Sequence, residues 1–347
     1  MKTKTVKIGN ITIGGGSRIA VQSMTNIPAH NTAAVTEQIN RLAEAGCDIV
    51  RFAVPDRETA ENVDKIVGAV SVPLVADIHF DYRLALMCIE HGISKIRINP
   101  GNIGGEDRAA AVAKAAKAKG IPIRIGVNGG SLEKGLLEKC GGNLAMAMVE
   151  SAKRHIEILN RYDFDDIVLS MKSSDVRTTI AAYRLAHESF NYPLHLGVTE
   201  AGTVKSGIVK SAIGIGSLLA DGIGDTIRVS LTGDPVKEVE AARLILRALD
   251  MEPDSIQVVS CPTCGRTKID LISIANRVTE ETEKLKGKLK VAVMGCVVNG
   301  PGEAKDADIG IAGGDGCAVL FKKGEIIKKL PENEIVDALM DEIRRMI

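Results

Sequence analysis

The sequence predicts an α/β protein: a (β/α)8 barrel of the TIM type followed by a small α+β domain. Three observations predict it. Up to about residue 250 the chain repeats one pattern, a short Ile/Val-rich run ending in polar residues and then an Ala-rich amphipathic stretch. The pattern recurs eight times, the strand count of a closed barrel. After MEPDS (251–255) it stops, and strands and helices follow in a different order. At 347 residues the chain is longer than one core usually fills, so two domains are expected, 1–252 and 253–347.

In chain order, VKIGNITIGGGSR reads as a hairpin ahead of the barrel. Its GGG is a turn, because no helix follows it to make a phosphate loop. The predicted barrel strands are IAVQSMTN (19–26), IVRFAVP (49–55), LVADIHF (74–80), KIRINPGN (95–102), IRIGVN (123–128), DIVLSMKSS (166–174), LHLGVTEAG (194–202) and TIRVSLTGDP (226–235). Helical patterns such as TAAVTEQINRLAEAG and DPVKEVEAARLILRALD lie between them, and this alternation implies parallel pairing. A doubly wound open sheet is the alternative, but it usually has fewer strands, and no GxGxxG follows the first strand. The longest gap, NGGSLEKGLLEKCGGN (128–143), is glycine-rich at both ends and reads as a flap over the barrel mouth or an ordinary long loop. The second domain reads as a strand into CPTCGR (261–266), a helix (DLISIANRVTEETEKL) and a strand into VMGCVVNGPGE (293–303). Two short β runs (ADIGIAGGDG, CAVLFKKGEIIKKL) and a last helix, ENEIVDALMDEIRRM, complete it.

Composition narrows the function classes. Net charge is zero and the pI about 7.0. There is no Trp, with four Tyr and five Phe. A nucleic-acid or anionic-membrane partner would call for a basic surplus, and single-strand binding for stacking aromatics, so neither is expected. MKTKTVKIGNITIGGG has no long apolar run after its lysines and no stretch reaches membrane-span length, so a cytoplasmic protein is expected. The seven cysteines then sit in a reducing compartment, where metal or catalytic use is favoured over disulfides.

Arginines recur inside the barrel strands: Arg51 in IVRF, Arg97 in KIRI, Arg124 in IRIG and Arg228 in TIRV, with Lys172 ending the sixth strand. Barrel strands are covered on both faces, so charges within them are rare unless they serve a site. Asp77/His79, Arg97/Asn99 and Arg228/Ser230 are i, i+2 pairs, and Arg124 and Asn128 are four apart, so each pair shares one side of its strand. The expectation is a mouth ringed by Arg51, Arg97, Arg124, Arg228, Lys172 and His79, with Asp77, Asn99, Asn128, Glu200 and Ser230 among them. Such a ring calls for a multiply anionic ligand of the diphosphate or bisphosphate kind. His30, His91, His155, His187 and His195 are read as structural or surface residues.

CPTCGR presents two cysteines on a tight turn, which fits a zinc knuckle or an iron–sulfur cluster. A redox dithiol would open a helix, whereas Pro262 and Gly265 are turn residues. Cys296 is the expected third sulfur and Cys317 its rival. Cys47 and Cys88 read as buried small hydrophobes, and Cys140 lies in the long loop. No histidine follows His195, so zinc would need Cys317 or an oxygen to close its site. A [4Fe–4S] cluster on Cys261, Cys264 and Cys296 would leave one iron for an exchangeable oxygen ligand. Glu303, seven residues beyond Cys296 across NGPG, is placed to supply it.

Together CPTCGR, MGCVVNGPGEA, VQSMTN, VRFAVP, VADIHF, IRINPGNIG and VTEAG resemble the hydroxymethylbutenyl diphosphate synthase family, in its compact bacterial two-domain form. The resemblance covers essentially the whole chain. It implies reductive ring opening, with loss of water, of 2-C-methyl-D-erythritol 2,4-cyclodiphosphate to 4-hydroxy-3-methylbut-2-enyl diphosphate, in non-mevalonate isoprenoid biosynthesis. It implies a [4Fe–4S] cluster on positions matching Cys261, Cys264, Cys296 and Glu303. Substrate contacts match Arg51, Asp77, His79, Arg97, Asn99, Arg124, Asn128, Lys172, Glu200, Arg228 and Ser230, with Glu200 as a proton donor. It also implies electrons from ferredoxin or flavodoxin, and a homodimer in which one subunit's cluster domain closes over the other's barrel. Two other readings are kept: a Schiff-base aldolase using Lys172 beside a structural zinc domain, and a cluster-bearing sensor or nucleic-acid binder, which the neutral charge and scarce aromatics disfavour.

Overall fold

The apolar runs of the first part form short strands buried on both faces, as a covered parallel sheet requires. The computed structural model describes residues 2–99, 103–296, 304 and 306–347. The chain divides into two compact units, Met1–Met251 and Glu252–Ile347.

In the first unit a hairpin, β1 (Val6–Ile8) and β2 (Ile11–Ile13), precedes eight parallel strands. These are β3 (Ala20–Met24), β4 (Ile49–Ala53), β5 (Leu74–Asp77), β6 (Lys95–Ile98), β7 (Ile123–Asn128), β8 (Ile167–Lys172), β9 (His195–Leu196) and β10 (Thr226–Ile227). Each pairs with the next, β10 returns to β3, and the Leu169–Leu194 bridge closes the gap between β8 and β9. The Leu169 N–H donates to the Pro193 carbonyl at 2.8 Å there. The last two strands are shorter than their sequence runs, so Arg228 lies just past β10 rather than within a strand. At Gly197 a Cβ would sit 2.7 Å from the Arg228 carbonyl, so these chains approach too closely for an ordinary ladder.

The hairpin plugs the lower end of the barrel. Val6, Ile8 and Ile13 pack with Ala20, Ile49, Val75 and Val168 from four barrel strands. Two residues further along those strands stand Gln22, Arg51, Asp77 and Ser170. With a period of two these lie on the same face. The barrel interior therefore changes from apolar to ionic within one step along its axis.

Helices surround the strands: α1 (Thr32–Glu44), α2 (Arg57–Glu61), α3 (Val63–Gly68), α4 (Tyr82–Glu90), α5 (Glu106–Lys119), α6 (Leu136–Lys139), α7 (Leu144–Asn160), α8 (Val176–Ser189), α9 (Val204–Ala220) and α10 (Pro235–Ala248). Asn31, Asp56, Asp81, Asn143, Asp175 and Asp234 cap six of them through side-chain oxygens that accept backbone N–H bonds. The long loop is a folded segment. It makes a 3-10 turn at Gly129–Ser131, buries Leu136 of α6, and sets Glu133 3.3 Å from the buried His155 on α7.

The second unit is a five-stranded sheet in the order β11 (Ile256–Ser260), β12 (Leu289–Met294), β13 (Ile309–Gly314), β14 (Cys317–Lys322), β15 (Glu325–Pro331). The first three strands are parallel and the last two antiparallel. The run CAVLFKKGEIIKKL, read from sequence as one β run, is a hairpin. Lys323 and Gly324, with φ of 49° and 84°, turn it back. Helices α11 (Leu271–Thr282) and α12 (Ile335–Met346) pack Ile274, Val278, Leu339, Met340 and Ile343 against Val291, Val293, Ile309 and Ile311. Among the described residues no helix is long and apolar enough to cross a membrane.

The plug predicts a measurable cost. Ile8 is fully buried. Ile8→Ala is expected to destabilise the protein by about 2–5 kcal/mol in a urea titration. A loss under about 0.5 kcal/mol would show that the hairpin does not close the barrel core.

Candidate functional site

The ionic layer begins with Asp77 at the end of β5, which is 4% exposed. Its register partner across β6 is Arg97, whose own partner across β7 is Arg124, so three charges lie in one row. Asp77 Oδ1 accepts from Arg97 Nη1 at 3.1 Å. Its Oδ2 lies 3.8 Å from Arg51 Nε and 3.5 Å from His79 Nε2. Burial alone would push the Asp77 carboxyl up. The Arg51 charge, the His79 hydrogen bond and the Arg97 and Arg124 charges override it and hold the carboxyl ionised.

The cations exceed this counter-charge. Arg124 is 1% exposed, and among the described residues its Nε and Nη2 have no hydrogen-bond partner. Lys172, at the end of β8, is buried with Nζ 3.4 Å from His195 Nε2. Burial, then Arg124, Arg228 and Arg51, push the Lys172 ammonium far below its ordinary value. Burial likewise lowers Arg51, to about 10, so it stays charged at neutral pH. Arg228 meets Glu238 of α10 at 3.3 and 3.4 Å. Glu238 also accepts from Ser23 Oγ and the Leu231 N–H, so α10 fixes one wall of the site.

Two glycines make room for these side chains. A Cβ at Gly126 would lie 2.5 Å from Arg97 Nε, and one at Gly197 2.7 Å from Lys172 Nζ. Met24, the register partner of Arg51, holds its sulfur 3.1 Å from Arg51 Nε and 3.7 Å from Arg228 Nη1.

Of the residues singled out by sequence, Arg51, Asp77, Arg97, Arg124, Lys172 and Arg228 are linked by contacts or mutual charge inside the barrel. Arg124 and Lys172 lie wholly within it rather than around an open rim. His79 stands at the edge with a side chain 55% exposed, beside the exposed Phe80. Asn99, Asn128 and Ser230 follow or end their strands half-buried, and Asn128 is the register partner of Lys172. Glu200 is exposed after β9, with φ of 52°, a left-handed backbone that few non-glycine residues adopt.

Sequence reasoning missed Lys95, Gln22, Met24 and Glu238, and set His195 aside. Lys95 is fully buried with Nζ 3.4 Å from Gln22 Oε1. Its position two residues before Arg97 was the available signal. His195, also fully buried, meets Thr226 Oγ1 at 2.7 Å, and burial holds it neutral. Glu238 sits on a helix and has no signature in sequence.

In the second unit, parallel β11 and β12 run in register through Ser260 and Val293, so the residues that follow leave one end of the sheet. Cys261 follows β11 directly, Cys296 follows β12 by two residues, and Cys264 stands exposed on the CPTCGR turn. The Gly295 N–H donates to Cys261 Sγ at 3.2 Å. Backbone and side-chain hydrogen bonds from Arg266 lower the Cys264 thiol below its ordinary value. Thiols that follow the ends of two paired strands, with hydrogen-bond donors at Cys261 and Cys264, are a donor type suited to a thiolate-bound metal group. Among the described residues, no three His, Cys, Asp or Glu side chains gather closely enough to hold a metal ion. Glu303 and the NGPG turn lie outside the described residues. Cys317 begins β14 opposite Gly314. Burial pushes the Cys47 and Cys88 thiols up to about 12, consistent with inert packing, and all seven cysteines are free.

Comparison with known proteins joins the two units. The family model described as the GcpE TIM-barrel domain matches residues 3–243, and that of the GcpE protein C-terminal domain matches residues 257–345. A protein of Ruminiclostridium cellulolyticum is 59% identical over 345 residues, covering 99% of this chain and 98% of its own. One of Clostridium acetobutylicum is 58% identical over 346 residues, covering 100% and 99%. Both are named 4-hydroxy-3-methylbut-2-en-1-yl diphosphate synthase (flavodoxin). Among solved structures, a dihydropteroate synthase of Stenotrophomonas maltophilia superposes with a TM-score of 0.52 at 13% identity, over 72% of this chain and 100% of that one, a likeness of fold alone.

The unpartnered donors of Arg124 predict opposite effects on stability and binding. Arg124→Met is expected to raise the ligand-free melting temperature by roughly 2–4 °C, because a buried uncompensated charge is removed. It is also expected to abolish any stabilisation by added inorganic pyrophosphate. A variant that melts lower and still responds to pyrophosphate would contradict the charge assignment.

Proposed function

The chain belongs to the GcpE family of 4-hydroxy-3-methylbut-2-en-1-yl diphosphate synthases, and we propose that it carries out that chemistry with the residues described above. The reaction opens 2-C-methyl-D-erythritol 2,4-cyclodiphosphate reductively and expels water, giving 4-hydroxy-3-methylbut-2-enyl diphosphate. The observation that carries the reading is a barrel interior with buried cations in excess of its carboxylates, in a chain whose second unit has parallel strands leading into Cys261 and Cys296 at one end of its sheet.

Arg51, Arg97, Arg124, Lys172 and Arg228 bind the cyclic diphosphate and screen its charges. When the ring carbon–oxygen bond breaks, negative charge grows on the diphosphate leaving group. The guanidinium donors are already in place, so they stabilise that charge without reorganising. Asp77 keeps Arg97 and Arg51 oriented, and Glu238 does the same for Arg228. Glu200, exposed at the end of a barrel strand, is the candidate proton source for the departing hydroxyl. Asn99, Asn128, His79 and Ser230 complete the polar lining.

Cys261, Cys264 and Cys296 would hold a [4Fe–4S] cluster, with Glu303 as the exchangeable fourth ligand. When bound it supplies the two reducing electrons and a Lewis-acidic iron. Reduced flavodoxin is the donor in this reading, and the working form is a homodimer in which each barrel is completed by the partner's second unit. A buried Lys172 with its ammonium pushed far below its ordinary value would also suit a Schiff-base aldolase, but the relatives that match the full length are named as the synthase.

Anaerobically purified protein is expected to contain close to four irons and four sulfides per chain and to show a broad visible band. Glu303→Ala should keep that band and lose turnover. One zinc per chain with no colour would sink the cluster, and full turnover in Glu303→Ala would remove the carboxylate from the mechanism. Mixing inactive Cys296→Ala chains with inactive Arg97→Met chains should restore part of the activity if barrel and cluster act across a dimer. No recovery, with exchange of subunits shown by mass, would place both in one chain.

A further inference from the structure

The second unit has an exposed edge that its packing does not explain. In β15 only Leu330 is buried, and residues 323–329 are exposed without interruption. Ile326 and Ile327 are 64% and 48% exposed, and Lys323, Lys328 and Lys329 surround them, with Glu325 the one carboxylate in the run. A break in register between Leu320 and Phe321 sets Ile327 into a bulge. Bulges and edge lysines commonly guard a sheet edge against unwanted pairing. That role does not call for two adjacent exposed isoleucines, which raise the hazard the lysines would lower. An apolar centre with a charged rim is the make-up of a recognition surface.

The C-terminal end of this edge reaches the cysteine end of the sheet, while Lys323 lies toward the other end. Pro331 is the register partner of Cys317, and Cys317 that of Gly314. Beyond β15, Glu332 accepts from the Asp270 N–H at 2.7 Å, which ties the end of the strand to the segment after CPTCGR. That segment carries Arg266 and Lys268, both exposed, and the exposed Cys264. Of the carboxylates near this junction, Glu332 accepts from the Asp270 N–H and Asp270 from the Ser273 N–H that opens α11, while Glu334 and Asp315 are exposed. Ile272, 62% exposed, adds a third apolar residue near the junction. Three strand spacings, ~14 Å, separate β15 from β12, which leads to Cys296.

We infer that the edge formed by Lys323, Ile326, Ile327, Lys328 and Lys329, extended by Lys268 and Arg266, is the docking surface for the electron-donating flavodoxin, gripped through an acidic face on that partner. This rests on the reading of the second unit as the electron-accepting one. Opposite charges at the rim set the rate of encounter and its salt dependence, and the isoleucines supply the desolvated contact. Lys323, Ile326, Ile327, Lys328 and Lys329 lie neither in the barrel site nor among the cysteines, so they can be altered without touching either, whereas Arg266 hydrogen-bonds Cys264 and is left unchanged in the test.

The test uses the full-length holoenzyme with Lys328 and Lys329 both changed to Glu, and a purified bacterial flavodoxin. Binding is measured by titration calorimetry at low and high salt, and turnover is driven either by reduced flavodoxin or by dithionite. The expected result is at least a tenfold loss of flavodoxin affinity and of flavodoxin-driven turnover, with the visible band and dithionite-driven turnover unchanged. Wild-type affinity should also fall with salt more steeply than that of the variant. Unchanged flavodoxin affinity would overturn the proposal. If the Glu pair loses its visible band, the milder pair Lys328→Gln and Lys329→Gln decides by the same calorimetry: weaker binding supports the surface and equal binding overturns it. Loss of dithionite-driven turnover in the wild type would instead count against the cluster reading on which the proposal stands.

Discussion

Positive charge buried without an equal counter-charge governs the first unit. Arg51, Arg97, Arg124, Lys172, Arg228 and Lys95 are held inside or at the lip of the barrel, where Asp77 and Glu238 are the carboxylates in contact with them. Water cannot screen these charges and they repel one another at low effective dielectric. The two lysines relieve part of the repulsion, since burial and the neighbouring guanidinium groups push both well below their ordinary value and so disfavour the charged form. Guanidinium groups resist that remedy. The arginines therefore retain positive charge beyond what Asp77 and Glu238 balance, an arrangement that favours an anionic ligand.

The surrounding architecture makes this tolerable. The apolar plug beneath the ionic layer supplies the stability that the interior does not, and it does so from alternate positions of the same strands. Gly126 and Gly197 remove side chains where guanidinium and ammonium groups must pass. Met24 places a soft, uncharged acceptor between Arg51 and Arg228, which a carboxylate would neutralise and a branched aliphatic residue would leave unpaired. Glu238 reaches the site from a helix, so the position of Arg228 depends on the packing of α10 as well as on its own strand.

Much of this was legible in sequence because the relevant physics is periodic. Arginines flanked by β-formers marked the barrel strands, and i, i+2 spacing put Asp77 with His79 and Arg97 with Asn99 on common faces. The same rule applied to Lys95 would have found it, but lysine beside a turn reads as a solvated strand start. His195 and Thr226 meet only because β9 and β10 close the ring, a contact between distant segments that no local pattern encodes. Glu238 was illegible for the same reason. The hairpin of β14 and β15 was taken for one run because Lys-Gly is a weaker turn signal than Asn-Gly, although Gly324 supplied the positive φ.

The second unit solves a different electrostatic problem, which explains why it is a separate fold. Thiolates are stabilised by N–H donors and nearby positive charge, and in the proposed reading a reducing centre held there must also be reached by a donor protein. A parallel strand pair meets the first need, since both chains leave the sheet at one end and expose backbone N–H groups there, as Gly295 does toward Cys261. A barrel interior could not meet the second, because its strands are walled by helices on every side. An open sheet retains an edge, and here that edge carries lysines and isoleucines rather than a covering helix. In the proposed reading the barrel sequesters positive charge to hold a small anion, whereas the sheet edge displays it to a protein partner.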